Sequence, residues 1–101
     1  NIMSQTTEGF KIIHDIIKLK WVPEVLNAIG TDGATYSEIL RSIDYLSNTE
    51  LNRKLAILLE RKAVEKVETE GHSLYQLLPF GKDLDHIFRH FRDIEEKYSI
   101  A

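Results

Sequence analysis

From residue 10 to residue 19 the apolar residues Phe10, Ile12, Ile13, Ile16, Ile17 and Leu19 recur at helical spacing, with Lys11, Asp15 and Lys18 between them. This predicts a first helix over 10–19. Trp21-Val22-Pro23 breaks the chain and restarts it, since proline is tolerated in the first turn of a helix; the new helix runs from Glu24 to Ile29 and ends at Gly30. Beyond the polar turn Thr31-Asp32-Gly33, a short helix carries Ile39, Leu40 and Ile43, entered through Thr35 or Tyr36 with a hydroxyl cap. Ser47-Asn48-Thr49-Glu50 then has the form of a capping box, in which serine accepts from the glutamate amide and the glutamate carboxylate reaches back. The helix it opens, over 47–62, has a buried stripe of Leu51, Leu55, Leu58 and Leu59, which leaves Asn48, Thr49, Asn52, Arg53 and, at one side, Lys54 facing outward.

At Ala63 the period changes. Val64 and Val67, then Glu68-Thr69-Glu70-Gly71, then Leu74 to Leu77 read as two short strands joined by a tight turn. Leu78-Pro79-Phe80-Gly81 punctuates the exit, and a long last helix over 82–98 repeats Leu84, Ile87, Phe88, Phe91, Ile94 and Tyr98 at three and four. The predicted class is mainly α with a small β-hairpin (α+β): a winged helix-turn-helix domain over residues 10–101, with added N- and C-terminal dimerisation helices, behind a tail of residues 1–9. A helix set directly against a hairpin suits a rigid two-part surface, one part entering a major groove and the other touching the flanking backbone.

Composition narrows the function. The chain has 101 residues, 43% hydrophobic and 29% charged, with no cysteine and a net charge of −3. Disulfides, thiolate zinc sites and thiol redox sensing are therefore excluded, and binding to nucleic acid would have to come from a local surface. No apolar run approaches the roughly 18 residues of a membrane helix, and no signal-peptide pattern is seen, so the expected location is cytoplasmic.

Ile17-Lys18-Leu19-Lys20-Trp21 with Val25-Leu26, then Tyr36-Ser37-Glu38-Ile39, Leu46-Ser47 with Leu51 and Leu55, Leu58-Leu59-Glu60, and Tyr75-Gln76-Leu77 before Gly81-Lys82-Asp83-Leu84, together resemble the HxlR family of bacterial transcriptional regulators, relatives of the MarR regulators. The resemblance covers Phe10 to Tyr98. It implies a homodimer on a two-fold operator, the helix beginning at Ser47 in the major groove, the hairpin around Thr69 to Gly71 as wing, and the first and last helices as dimer contacts. Three departures stand out. The place of a sensing cysteine found in several members falls near Glu8, Thr49 stands where a basic residue is common, and the short wing is acidic at Glu65, Glu68 and Glu70, which repels phosphate.

The candidate DNA-binding residues are Ser37, Ser47, Asn48, Thr49, Asn52, Arg53, Lys54 and Lys66. Asn52 and Arg53 suit base edges, because an amide pairs doubly with adenine and a guanidinium with guanine; Ser47, Thr49 and Lys54 suit phosphates. The candidate dimer interface is Phe10, Ile13, Ile17, Leu84, Phe88, Phe91, Ile94 and Tyr98, because one small domain cannot cover two long amphipathic helices. Trp21 reads as a core anchor at a helix junction.

Asp83, His86, His90 and Asp93 line one edge of the last helix, and His86 with His90 at i, i+4 can hold a metal ion; the plainer reading, a solvated border, is preferred and no metal or other cofactor is expected. With no glycine-rich phosphate loop, GxSxG elbow or HExxH, the chain is not expected to be an enzyme. The expected partners are double-stranded DNA bearing a pseudo-palindromic operator and a second copy of the chain, with no membrane; an effector molecule is compatible but unnamed. The alternative is a winged-helix protein-interaction or dimerisation module with little DNA affinity, motivated by the net charge and the acidic wing.

Overall fold

A computed structural model describes residues 7–100. The elements are α1 (Glu8–Ile17), α2 (Val22–Ile29), α3 (Tyr36–Ser42), α4 (Asn48–Glu60), β1 (Val64–Thr69), β2 (His72–Leu77) and α5 (Pro79–Tyr98). This is the expected winged-helix order of helices around one hairpin.

The first helix begins earlier than its apolar pattern, because Thr7 Oγ1 accepts from the Phe10 amide at 3.1 Å and caps it. Gly9 is thus helical rather than tail, and Leu19 falls beyond the end; the rest of the expected tail, residues 1–6, lies outside the described residues. The last helix also starts early. Pro79 supplies a preset φ at its first turn, where a missing N–H costs nothing, so the residues read as punctuation are its opening.

One cluster of buried side chains joins every element: Ile16 of α1, Val22, Val25, Leu26 and Ile29 of α2, Ile39 of α3, Leu51, Leu55 and Leu58 of α4, Val64 of β1, Tyr75 and Leu77 of β2, and Leu84 and Phe88 of α5. The helix α2 is the hub, packed against α1, α3, α4, β2 and α5. Trp21 is only half-buried: it packs against this cluster with φ of 76° and lines a shallow surface groove with Glu24, Asn27 and Ile43. The core anchor at that junction is its neighbour Val22, which is fully buried.

The hairpin pairs Val64 with Leu77 through Thr69 with His72, and the Glu70-Gly71 turn has positive φ at both residues, 45° and 82°. Such a two-residue loop matches the right-handed twist of the strands it joins. Ala34 adds a single bridge to Tyr75, each amide donating to the other's carbonyl at 3.0 and 2.8 Å, which ties the loop before α3 to the hairpin.

The seam between α4 and β1 is closed by the backbone. Lys62 takes the left-handed conformation at φ 62°, and the Ala63 amide returns to the Leu58 carbonyl at 2.9 Å. The Ala63 carbonyl accepts from the Leu78 amide at 2.9 Å and lies so close to Gly81 that a Cβ there would collide with it. Helix, hairpin and α5 therefore meet at one point with no slack, which holds the hairpin at a set angle to α4.

Candidate nucleic-acid interface

The candidate interface is built on α3, the turn after it, and α4. Thr35 starts α3 with a full capping box: its Oγ1 accepts from the Glu38 amide at 3.2 Å, and Glu38 Oε1 accepts from the Thr35 amide at 2.8 Å. Donation to the carboxylate from the Thr35 amide first, and then from the Thr35 hydroxyl, holds the Glu38 carboxyl below its ordinary range. At Ser47 only half of the expected box forms. Ser47 Oγ accepts from the Glu50 amide at 3.1 Å, but the Glu50 carboxylate turns the other way, toward Arg53 Nη1 and Lys54 Nζ, each at 3.2 Å. Two cations one turn ahead attract a carboxylate more strongly than one amide behind it. Lys54's hydrogen bond is the main cause that lowers the Glu50 carboxyl, with the charges of Lys54 and Arg53 adding to it against a desolvation penalty.

This pairing corrects one candidate. Lys54 is 8% exposed, its stem packed beside the leucine stripe and its ammonium spent on Glu50, so it does not stand on the outward face. The face that does point outward is Thr49, Asn52, Arg53 and Ala56, all exposed and one turn or less apart. Arg53 keeps 69% of its side chain exposed even while it touches Glu50. Asn48 begins the helix, exposed, with its Oδ1 3.0 Å from the Tyr36 hydroxyl of α3.

Ser37 is exposed on α3, and Arg41 stands exposed one turn along the same face. Arg41 and Tyr36 are not legible as site residues in the sequence, because nothing in a seven-residue helix distinguishes a solvated cation or a half-buried phenol from ordinary surface. Nor is Tyr45, which sits in the turn at φ 69° with 97% of its surface exposed. On the hairpin, Lys66 pairs across the strands with Tyr75 and carries its ammonium 5.9 Å from that ring centre. Glu65, Glu68 and Glu70 are all exposed around it, and Glu68 accepts from the Ser73 hydroxyl at 2.7 Å.

The proposed dimer residues divide. Leu84 and Phe88 are buried in the chain's own core, at 1% and 3%, because the first half of α5 lies against α2 and β2; they are corrected from interface to core. Ile17 is half-buried against the same core. Phe10, Ile13, Phe91, Ile94 and Tyr98 remain exposed, at 59%, 37%, 49%, 37% and 64%. His86 and His90 are exposed on α5, and among the described residues no three metal-ligating side chains come together. No helix among the described residues is long and apolar enough to cross a membrane.

A hub helix, a capped helix-turn-helix and a hairpin locked to the end of its second helix define the winged-helix fold. Comparison with solved structures gives the same fold. The chain superposes with a TM-score of 0.81 on a Porphyromonas gingivalis protein described as a transcriptional regulator of the MarR family, at 20% identity, covering 92% of this chain and 94% of that one. It superposes with a TM-score of 0.80 on the reduced form of the transcriptional regulator YodB from B. subtilis, at 15% identity over 93% and 95% of the two chains. Diamide-treated YodB gives 0.76 at 18% identity over 93% and 96%. No family model matches the chain, and no curated protein does.

Proposed function

We propose that the chain is a DNA-binding transcriptional regulator of the HxlR type, without enzymatic activity, that acts in the cytoplasm as a homodimer on a pseudo-palindromic operator. The observation that carries this reading is the outward face of α4: Thr49, Asn52 and Arg53, with no exposed apolar side chain larger than alanine, on a helix whose stripe of Leu51, Leu55 and Leu58 is buried in the core. Asn52 and Arg53 read base edges in the major groove, Ser37, Ser47 and Thr49 contact the backbone on either side, and Asn48 stands between them at the start of the helix. Arg41 adds a cation on the same approach. The likeness to known regulators supports this use of the fold, although fold alone does not dictate function.

The exposed apolar residues of α1 and α5 support the dimer. Phe10 and Ile13 on one helix and Phe91, Ile94 and Tyr98 on the other stay exposed among the described residues, and a two-fold partner would bury both sets and set two α4 helices on one duplex. The hairpin plays a smaller part than in a basic wing. Its exposed glutamates repel phosphate, so it buttresses α4 and leaves Lys66 as its one cation near the backbone.

The test is titration of the duplex upstream of the protein's own gene at low and moderate salt, with Arg53→Ala beside the wild type. Preferential binding that weakens as salt rises, with a loss of roughly 1–3 kcal/mol in Arg53→Ala, is expected. Equal affinity for random duplex, or an Arg53→Ala variant that binds like wild type, would favour an interaction module that has lost its DNA.

A further inference from the structure

The start of α4 is prepared by a residue from another helix. Tyr36, the first residue of α3, sets its hydroxyl 3.0 Å from Asn48 Oδ1 and 3.4 Å from the Asn48 backbone carbonyl oxygen, twelve residues along the chain. A phenol has one proton to give, and the shorter contact takes it. An asparagine amide free in solvent can turn either its oxygen or its NH2 outward. With Oδ1 engaged by Tyr36, the carbonyl end is held toward α3 and Nδ2 is directed to the opposite side.

The surroundings are those of a donor site. Asn48 and Thr49 are the first two residues of α4, whose amides precede the first intrahelical bond, from Leu51 to the Ser47 carbonyl at 3.0 Å, and the Ser47 hydroxyl is already used on the Glu50 amide. Donors at the N-terminal end of this thirteen-residue helix favour an electron-rich partner.

We infer, building on the DNA-binding reading above, that Tyr36 is a positioning residue: it presets Asn48 as a hydrogen-bond donor, so that α4 meets an acceptor on the duplex, either a phosphate oxygen or the O6/N7 edge of a guanine. Doubly bonded adenine, which needs the amide's oxygen as well as its NH2, is disfavoured at this position. The readout by Asn48 thus depends on a hydroxyl that touches no DNA.

The experiment is a double-mutant cycle on the full chain with Tyr36→Phe, Asn48→Ala and the double variant. Each is titrated by fluorescence anisotropy against a duplex that the wild type has selected from a random-sequence pool, and each is profiled against all single-base variants of that duplex. Tyr36→Phe is expected to weaken binding about three- to tenfold, the scale of one hydrogen bond, and to cause little further loss once Asn48 is alanine. A loss uniform over sequences identifies a phosphate acceptor, and loss of a guanine preference at one position identifies the base edge; either supports the assignment. Coupling of this kind separates positioning from general damage to the fold, which would weaken both backgrounds by the same factor. Binding unchanged in Tyr36→Phe, or an equal loss with and without Asn48, overturns the inference while leaving the DNA-binding reading intact. A wild type that selects no duplex overturns both.

Discussion

Helices α4 and α5 have similar apolar stripes and opposite surfaces. In α4, Leu51, Leu55 and Leu58 are all buried, and its exposed residues are polar apart from Ala56, with Ile57 half-buried. In α5 the stripe is used only halfway: Leu84 and Phe88 enter the core, whereas Phe91, Ile94 and Tyr98 continue in phase along a helix that has run past it. Among the described residues one stripe is covered along its length and the other only in its first half. A face with no exposed apolar group larger than alanine suits a hydrated, charged partner, and an unused stripe suits another apolar face. In the proposed function the two helices divide the tasks of reading a duplex and pairing the chains.

The most severe test of that contrast is to cut the stripe of α5 at neighbouring points. Phe88→Ala should destabilise the fold by about 3–5 kcal/mol in chemical denaturation, because it opens a cavity in the shared core. Phe91→Asp should leave the fold standing yet weaken pairing by roughly 3 kcal/mol or more, seen as a monomer in sedimentation, because it places an unpaired charge in the proposed interface. A monomeric wild type, or a Phe91→Asp variant that still dimerises, would remove α5 from the pairing role.

Smaller effects are expected at the entrance to α4. Tyr45→Gly should stabilise the protein by roughly 0.5–1 kcal/mol, since glycine tolerates the left-handed turn that tyrosine occupies under strain, less what glycine loses in unfolded-chain entropy. A rise in the thermal midpoint would check it. The smallest is a pH effect. Glu38 and Glu50 have carboxyls lowered from 4.5, so their contributions to α3 and α4 are fully present above the unfolded value and are lost as pH falls through the lower folded one. NMR titration should give midpoints below 4.5 for both, and Lys54→Met should move Glu50 upward while leaving Glu38 in place.

The same contrast explains what could be read from the amino acids. Periodicity locates both stripes and the hairpin, and a hydroxyl cap narrows the start of α3 to Thr35 or Tyr36, because those depend on neighbours within a turn or a strand pair. It could not divide Phe88 from Phe91, since a heptad-like pattern records which side is apolar and not where the core beneath it ends. At Ser47 a correct local motif met a competing local motif: the residue three after the cap was also three and four before two cations, and the ion pairs prevailed. That choice turned Lys54 inward and left Arg53 as the exposed cation of the face. Tyr36 and Asn48, twelve residues apart, meet only through the angle between two helices, which no spacing rule contains.

The central claim, that paired chains set two α4 helices into one duplex, is tested most directly by hydroxyl-radical and base-methylation footprinting of the wild type on a duplex it has selected. Two matching major-groove patches of protection, about one helical turn (~10 base pairs) or a small multiple apart and related by two-fold symmetry, are the predicted result. A single patch, protection confined to the minor groove, or no protection at a saturating concentration would contradict it.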